Sequence, residues 1–165
     1  MDRLHVLPII QCLVLLTIAN GVPVIAKKIL GDWLAWPIDG GRFFWDGRPF
    51  LGKSKTFRGA VLATTTSTIG GLVVGLGLGI GMLIGFTAMA GDMLSSFVKR
   101  RLRLAPSAMA PGLDQVPESL LPLLAARPLL GLSVLDVAVG VAAFWIGELI
   151  VSRLLYAFRI RDRPY

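Results

Sequence analysis

Asp92 stands in a run from Gly59 to Val98 that holds no other charge. Asp92, Ser95, Ser96 and Lys99 occupy positions i, i+3, i+4 and i+7, so one helix face carries carboxylate, hydroxyls and ammonium toward one end. A carboxylate at the centre of a membrane helix costs about 2.5 to 3.5 kcal/mol on the insertion scale, so a partner or a task is expected for it. An internal ion pair between helices would meet the first need. The same face runs on into Arg100 and Arg101, more positive charge than one aspartate requires, and that set suits a phosphate held together with a metal ion.

Two further strings complement this face. In LGKSKTFRGA, Gly52, Lys55, Thr56, Arg58 and Gly59 place glycine flexibility beside cations and a hydroxyl, the donors that phosphate oxygens accept from. The string lacks the GxxxxGK[ST] spacing of a Walker A loop, and a basic loop that merely touches lipid headgroups would look similar. In GLDQVPESLL, Pro117 and Glu118 suit the first turn of a helix, whereas capping does not account for Asp114. Asp92 and Asp114 near one membrane face would be a pair able to hold magnesium against substrate phosphates. The only cysteine is Cys12 and the only histidine is His5, so no disulfide, thiol metal site or histidine base is expected, and His5 is expected to stand alone.

The elements that must position these residues are membrane helices. A content of 55% hydrophobic residues and a mean hydropathy of +0.72 over 165 residues exceed what a soluble domain carries. We expect one all-α membrane domain, 1–165, a polytopic bundle of about five transmembrane helices over 6–26, 59–76, 79–98, 118–132 and 134–158. The first is read as a retained span rather than a signal peptide, because its apolar stretch is too long and no small-x-small cleavage site follows. Pro122, Arg127 and Pro128 interrupt the fourth, and a re-entrant segment is the alternative there. Ser67, Gly71 and Gly75, then Gly77, Gly81 and Gly85, recur every fourth residue and are read as helix-packing faces.

Charge sets the expected sidedness. All lysines and arginines except Arg3 and Arg127 fall in the loops 27–58 and 99–117 or near the C-terminal end, where Arg153, Arg159, Arg161 and Arg163 lie. The positive-inside rule then gives an N-out, C-in arrangement with structured cytoplasmic loops. The net charge of +7 is read as loops facing anionic lipid and anionic substrates, with no nucleic acid as partner.

The order DGGRFFWDGRPFLGKSKTFRGA, GDMLSSFVKRRLRL and LDQ resembles the CDP-archaeol synthase family of membrane cytidylyltransferases, five-span proteins related to phosphatidate cytidylyltransferases. The detailed resemblance runs from Pro37 to Glu118. It implies that Asp39, Asp46, Gly47, Gly52, Lys55, Thr56, Arg58 and Gly59 shape a nucleotide-side loop. It further implies that Gly91, Asp92, Ser96, Lys99, Arg100, Asp114 and Gln115 form the catalytic segment. Lys53, Ser95 and the Pro117-Glu118 pair depart from the family pattern in ways that resemble its bacterial branches, which leaves the lipid chain of the substrate open.

The implied reaction joins CTP to a membrane glycerol phosphate, giving a CDP-activated lipid and pyrophosphate at an integral membrane site facing the cytoplasm. Asp92, Lys99 and Asp114 are the expected catalytic residues, with Asp92, Asp114 and Glu118 on magnesium. Lys55, Arg58, Lys99 and Arg100 are expected on phosphates, with Thr56 and Ser96 as neutral donors and Gly52 and Gln115 shaping the nucleotide site. The lipid would approach laterally between helices, where small-residue faces leave room. A competing expectation is a small transporter or lipid-binding scaffold in which Asp92 and Glu148 form an ion or proton path.

Overall fold

Apolar runs with few charges become helices because a backbone in hydrocarbon must satisfy every hydrogen bond within its own segment. The computed structural model describes residues 4–105, 108 and 110–158; Asp2, Arg3, Pro106, Arg159, Arg161 and Arg163 lie outside the described residues. In chain order the helices are α1 (Val6–Leu30), α2 (Phe57–Val73), α3 (Gly77–Arg101), α4 (Gln115–Leu130) and α5 (Val134–Ala157), and no strand occurs among the described residues. The all-helical reading holds. α1, α3 and α5 are long and apolar enough to cross a membrane, with 25, 25 and 21 residues in the qualifying stretches. α2 and α4 have 17 and 16 residues. α4 is continuous through Pro122 and Pro128 and starts before Glu118, so the interruptions read in the sequence do not break it.

α3 lies at the centre, packed against α2 and α4, while α1 packs on α2, α3 and α5. Leu15 and Leu16 of α1, Ala63 of α2, Ile84 and Ala88 of α3, and Leu123 and Ala126 of α4 form a core without solvent exposure. Ile29, Val73, Phe86 and Ile146 are more than half exposed, which suits side chains that face lipid.

The small-residue faces close α2 onto α3. A Cβ on Gly71 would lie 2.4 Å from the Gly77 carbonyl oxygen, and one on Gly85 would lie 2.7 Å from the Ser67 Cβ. Packing is therefore the role of Ser67, Gly71, Gly81 and Gly85, whereas Gly75 and Gly77 instead take positive φ in the turn between α2 and α3. The expectation that these faces leave room for a lipid is corrected, because backbone already fills the space.

At the start of α5, Ser133 and Asp136 cap the helix reciprocally. Asp136 also accepts from the His5 backbone N–H at 2.9 Å and lies 2.7 Å from His5 Nδ1. The single histidine thus has a partner after all, one that fastens the start of α1 to the start of α5.

Candidate active site

The loop between α1 and α2 is organised around Asp39, which is nearly buried. Its carboxylate accepts from the N–H groups of Gly41 at 2.9 Å, Leu51 at 2.9 Å and Gly52 at 2.8 Å. Burial opposes its charge, but the N–H groups of Gly52, Leu51 and Gly41 outweigh it and hold the carboxyl below the usual carboxylate value. Gly52 has φ +95°, a conformation that a side chain would strain. Bridges from Pro37 to Thr56 and from Phe43 to Pro49 close the loop.

Arg101, at the end of α3, docks this loop. Its guanidinium pairs with Asp46 at 3.0 Å, donates to the Pro49 carbonyl at 2.6 Å and lies over the rings of Phe44 and Phe97. Arg48 donates back to the Arg101 carbonyl. The loop is thereby held against the cationic end of α3.

That docking brings Lys55 to Asp92, and the two form an ion pair between loop and helix. One helical stretch further along, Lys99 pairs with Asp114 at 2.5 Å and donates to the Ala108 carbonyl at 3.3 Å. Asp114 also accepts from the Ala110 N–H at 3.0 Å, which fastens the turn leading into α4. Arg100 is buried, feels the charge of Asp114 and donates to the Ala105 carbonyl at 3.0 Å. Glu118 is buried on α4 in the field of Asp92, Glu148, Asp114 and Lys55.

The α3–α4 contact that assembles these charges is tight. A Cβ on Gly91 would lie 2.2 Å from the Pro117 carbonyl oxygen, so only glycine lets α4 approach there. Ser95 returns its hydroxyl to the Gly91 carbonyl at 2.9 Å, and Ser96 is buried beside it on α3. Gln115 is buried and accepts from the Gly112 N–H at 2.8 Å, shaping the same turn.

The residues singled out in the sequence thus divide into two groups. Lys55, Asp92, Lys99, Arg100, Asp114 and Glu118 share one ionic cluster. Thr56 and Arg58 have structural tasks. Thr56 caps α2 by accepting from the Gly59 N–H at 3.2 Å. Arg58 donates to the carbonyls of Trp33 and of Gly31, the latter at 2.9 Å, and so ties the end of α1 to the first turn of α2. Asp39 and Arg101 were legible only as members of a loop and of a cationic run; the role of Asp39 arises from backbone N–H groups across its own loop, and that of Arg101 from Asp46 and Pro49, distant in sequence.

Three carboxylates in one field suit a hard divalent cation by donor chemistry. Among the described residues, however, no group of three acidic, histidine or cysteine side chains is arranged to hold a metal, and Lys55 and Lys99 occupy the two aspartates.

Residues 76–165 match the family model described as CDP-archaeol synthase. The CDP-archaeol synthase of Sulfurisphaera tokodaii is 34% identical over 90% of this chain and 89% of its own length. That of Hyperthermus butylicus is 39% identical, with the match spanning 59% of each chain. A solved structure described as an intramembrane enzyme for archaeal membrane lipid biosynthesis superposes with a TM-score of 0.69 at 27% identity, covering 84% of this chain and 90% of the other. These named relatives are archaeal, so the expectation of a bacterial branch finds no support, and the transporter or scaffold reading gives way to an enzymatic one. On the family match, the relative aligned over nearly its whole length and the shared fold, this integral membrane protein belongs to the CDP-archaeol synthase family of enzymes.

Proposed function

We propose that this chain, a CTP-dependent cytidylyltransferase by family, uses magnesium to join CTP to a membrane glycerol phosphate, releasing pyrophosphate and leaving a CDP-activated lipid in the bilayer. The observation that carries this reading is the pairing of Lys55 with Asp92 and of Lys99 with Asp114 in one cluster beside Arg100 and Glu118. Lysines and aspartates that hold each other in this way can exchange partners: phosphates take the lysines, and the carboxylates become ligands.

A lipid phosphate oxygen attacks the α-phosphorus of CTP. The new P–O bond forms as the bond from the α-phosphorus to the bridging oxygen breaks, and pyrophosphate departs with that electron pair. The work of the protein is to align two anions that repel each other and to offset charge on the transferring group. Lys55, Lys99 and Arg100 supply fixed positive charge, and Ser96 supplies a hydroxyl. Asp92 and Asp114 would hold the metal, and Glu118, buried in the field of both, would be a third ligand. Two protein carboxylates completed by substrate phosphates are a common way to hold magnesium. Magnesium there would neutralise charge on the phosphates.

The concentration of basic residues in the two loops and at the C-terminal end supports a cytoplasmic active face. Purified protein incubated with CTP, magnesium and a panel of ether- and ester-linked lipid phosphates should release pyrophosphate and form a CDP-lipid. No product from any of them would overturn the reading.

A further inference from the structure

The loop between α1 and α2 brings Lys55 to the ionic cluster, and elsewhere along its length it presents large aromatic rings to the outside. Trp33 is 65% exposed, Trp36 68%, Phe43 70% and Trp45 97%. Arg42 and Lys53 are exposed on the same loop. Single exposed apolar side chains are ordinary, but this many indole and phenyl rings on one loop mark a contact surface.

The setting of Trp45 identifies what the surface contacts. Trp45 lies in the turn closed by the bridge between Phe43 and Pro49. Its ring stacks on Phe44 with centroids 5.3 Å apart, and Phe44 meets Phe97 of α3 edge-on, also at 5.3 Å. The Arg101 guanidinium lies over both phenyl rings. Phe97 comes about three turns after Phe86, and Arg101 about two turns after Leu94, so these four side chains share one side of α3. Phe86 is 64% and Leu94 48% exposed, and on a helix long and apolar enough to cross a membrane such side chains face lipid. The stack of Phe44 and Trp45 therefore stands where the lipid-facing side of α3 reaches its charged end, at the level of the membrane–water boundary. An indole suits that level because its apolar body meets the acyl chains while its N–H meets headgroups or water. Arg42 and Lys53 can reach headgroup phosphates from the same loop.

We infer that the outer face of this loop, with Trp45 at its turn, is a membrane-surface anchor seated in the headgroup layer. The loop is then fastened twice, to α3 through Arg101 and to the bilayer through Trp45, so the lipid surface itself helps to position the segment that carries Lys55. The inference rests on the membrane setting of the chain and not on the reaction proposed above.

The protein has four tryptophans, so the combined change Trp33→Phe, Trp36→Phe and Trp145→Phe leaves Trp45 as the single indole. In vesicles of phosphatidylcholine and phosphatidylglycerol, its emission should fall at least twofold when the lipid chains carry bromine near their glycerol end. Bromine near the methyl end should quench less. Emission unmoved by either brominated lipid would overturn the inference: free quenching by aqueous iodide would then mean a ring in water, and protection from iodide a ring covered by protein, such as a second copy of this chain. Stronger quenching from the methyl end would overturn the headgroup placement. The difference in quenching between wild-type protein and Trp45→Phe gives the same readout without the combined variant, and a difference of zero would overturn the inference as well.

Discussion

Lys55 donates to Asp92 across 37 residues of chain, joining the loop before α2 to the middle helix of the bundle. The pair is held in place by Asp39, which organises the loop from within, and by Arg101, which fixes the loop on the end of α3.

Removing one member of this pair should cost more than half of what removing both costs. Lys55→Gln and Asp92→Asn are each expected to lower kcat/KM about 100-fold or more, on the order of 3 kcal/mol. The double variant should fall well short of the product of the two losses, because each single change leaves an uncompensated charge in the cluster. Initial rates of CDP-lipid formation check this; strictly multiplicative losses would show that the two residues act independently.

Gly91→Ala should destabilise the α3–α4 contact by about 1 to 3 kcal/mol, since its Cβ would overlap the Pro117 carbonyl oxygen. Gly79→Ala is the control on the same helix, because a Cβ there meets nothing within 4 Å. Thermal unfolding in detergent should show a lower Tm for the first and none for the second. Equal Tm values would mean that α4 can withdraw without loss.

Arg58→Ala should lower the Tm and leave the KM for CTP within threefold, because its guanidinium is engaged by the Trp33 and Gly31 carbonyls. A raised KM with unchanged Tm would return Arg58 to the phosphate site. The two outcomes separate a helix clamp from a substrate contact.

Asp39→Asn should cost about 1 to 3 kcal/mol at neutral pH, where the wild-type carboxylate accepts three backbone N–H groups. A carboxyl held below its ordinary value of 3.8 contributes stability above that pH and loses it as the pH falls through the lower folded-state value. The difference between variant and wild type should therefore shrink below pH 3.8. Unfolding measured across that range checks the sign, and a gap that widens in acid would contradict it.

Much of this was legible in the sequence because its causes are local. The hydropathy of 6–26 and 134–158 requires helices wherever the surroundings are lipid, and the fourfold spacing of Ser67, Gly71, Gly81 and Gly85 makes helix packing faces. The position of Asp92 in an uncharged run marks it for a partner. Thr56 and Arg58 were legible there only by residue type. Their types suit phosphate, and the structure adds a capping position for Thr56 and the Trp33 and Gly31 carbonyls as partners of Arg58.

By itself, then, the sequence determined a membrane helical bundle and the residue types of its charged face, because burial in lipid and helical periodicity act over a few turns of chain. Only the tertiary structure decided which charges meet, Lys55 with Asp92 and Lys99 with Asp114, and which glycines close a seam. Those outcomes depend on the approach of helices far apart in sequence, and a single backbone contact such as Gly91 against Pro117 sets that approach.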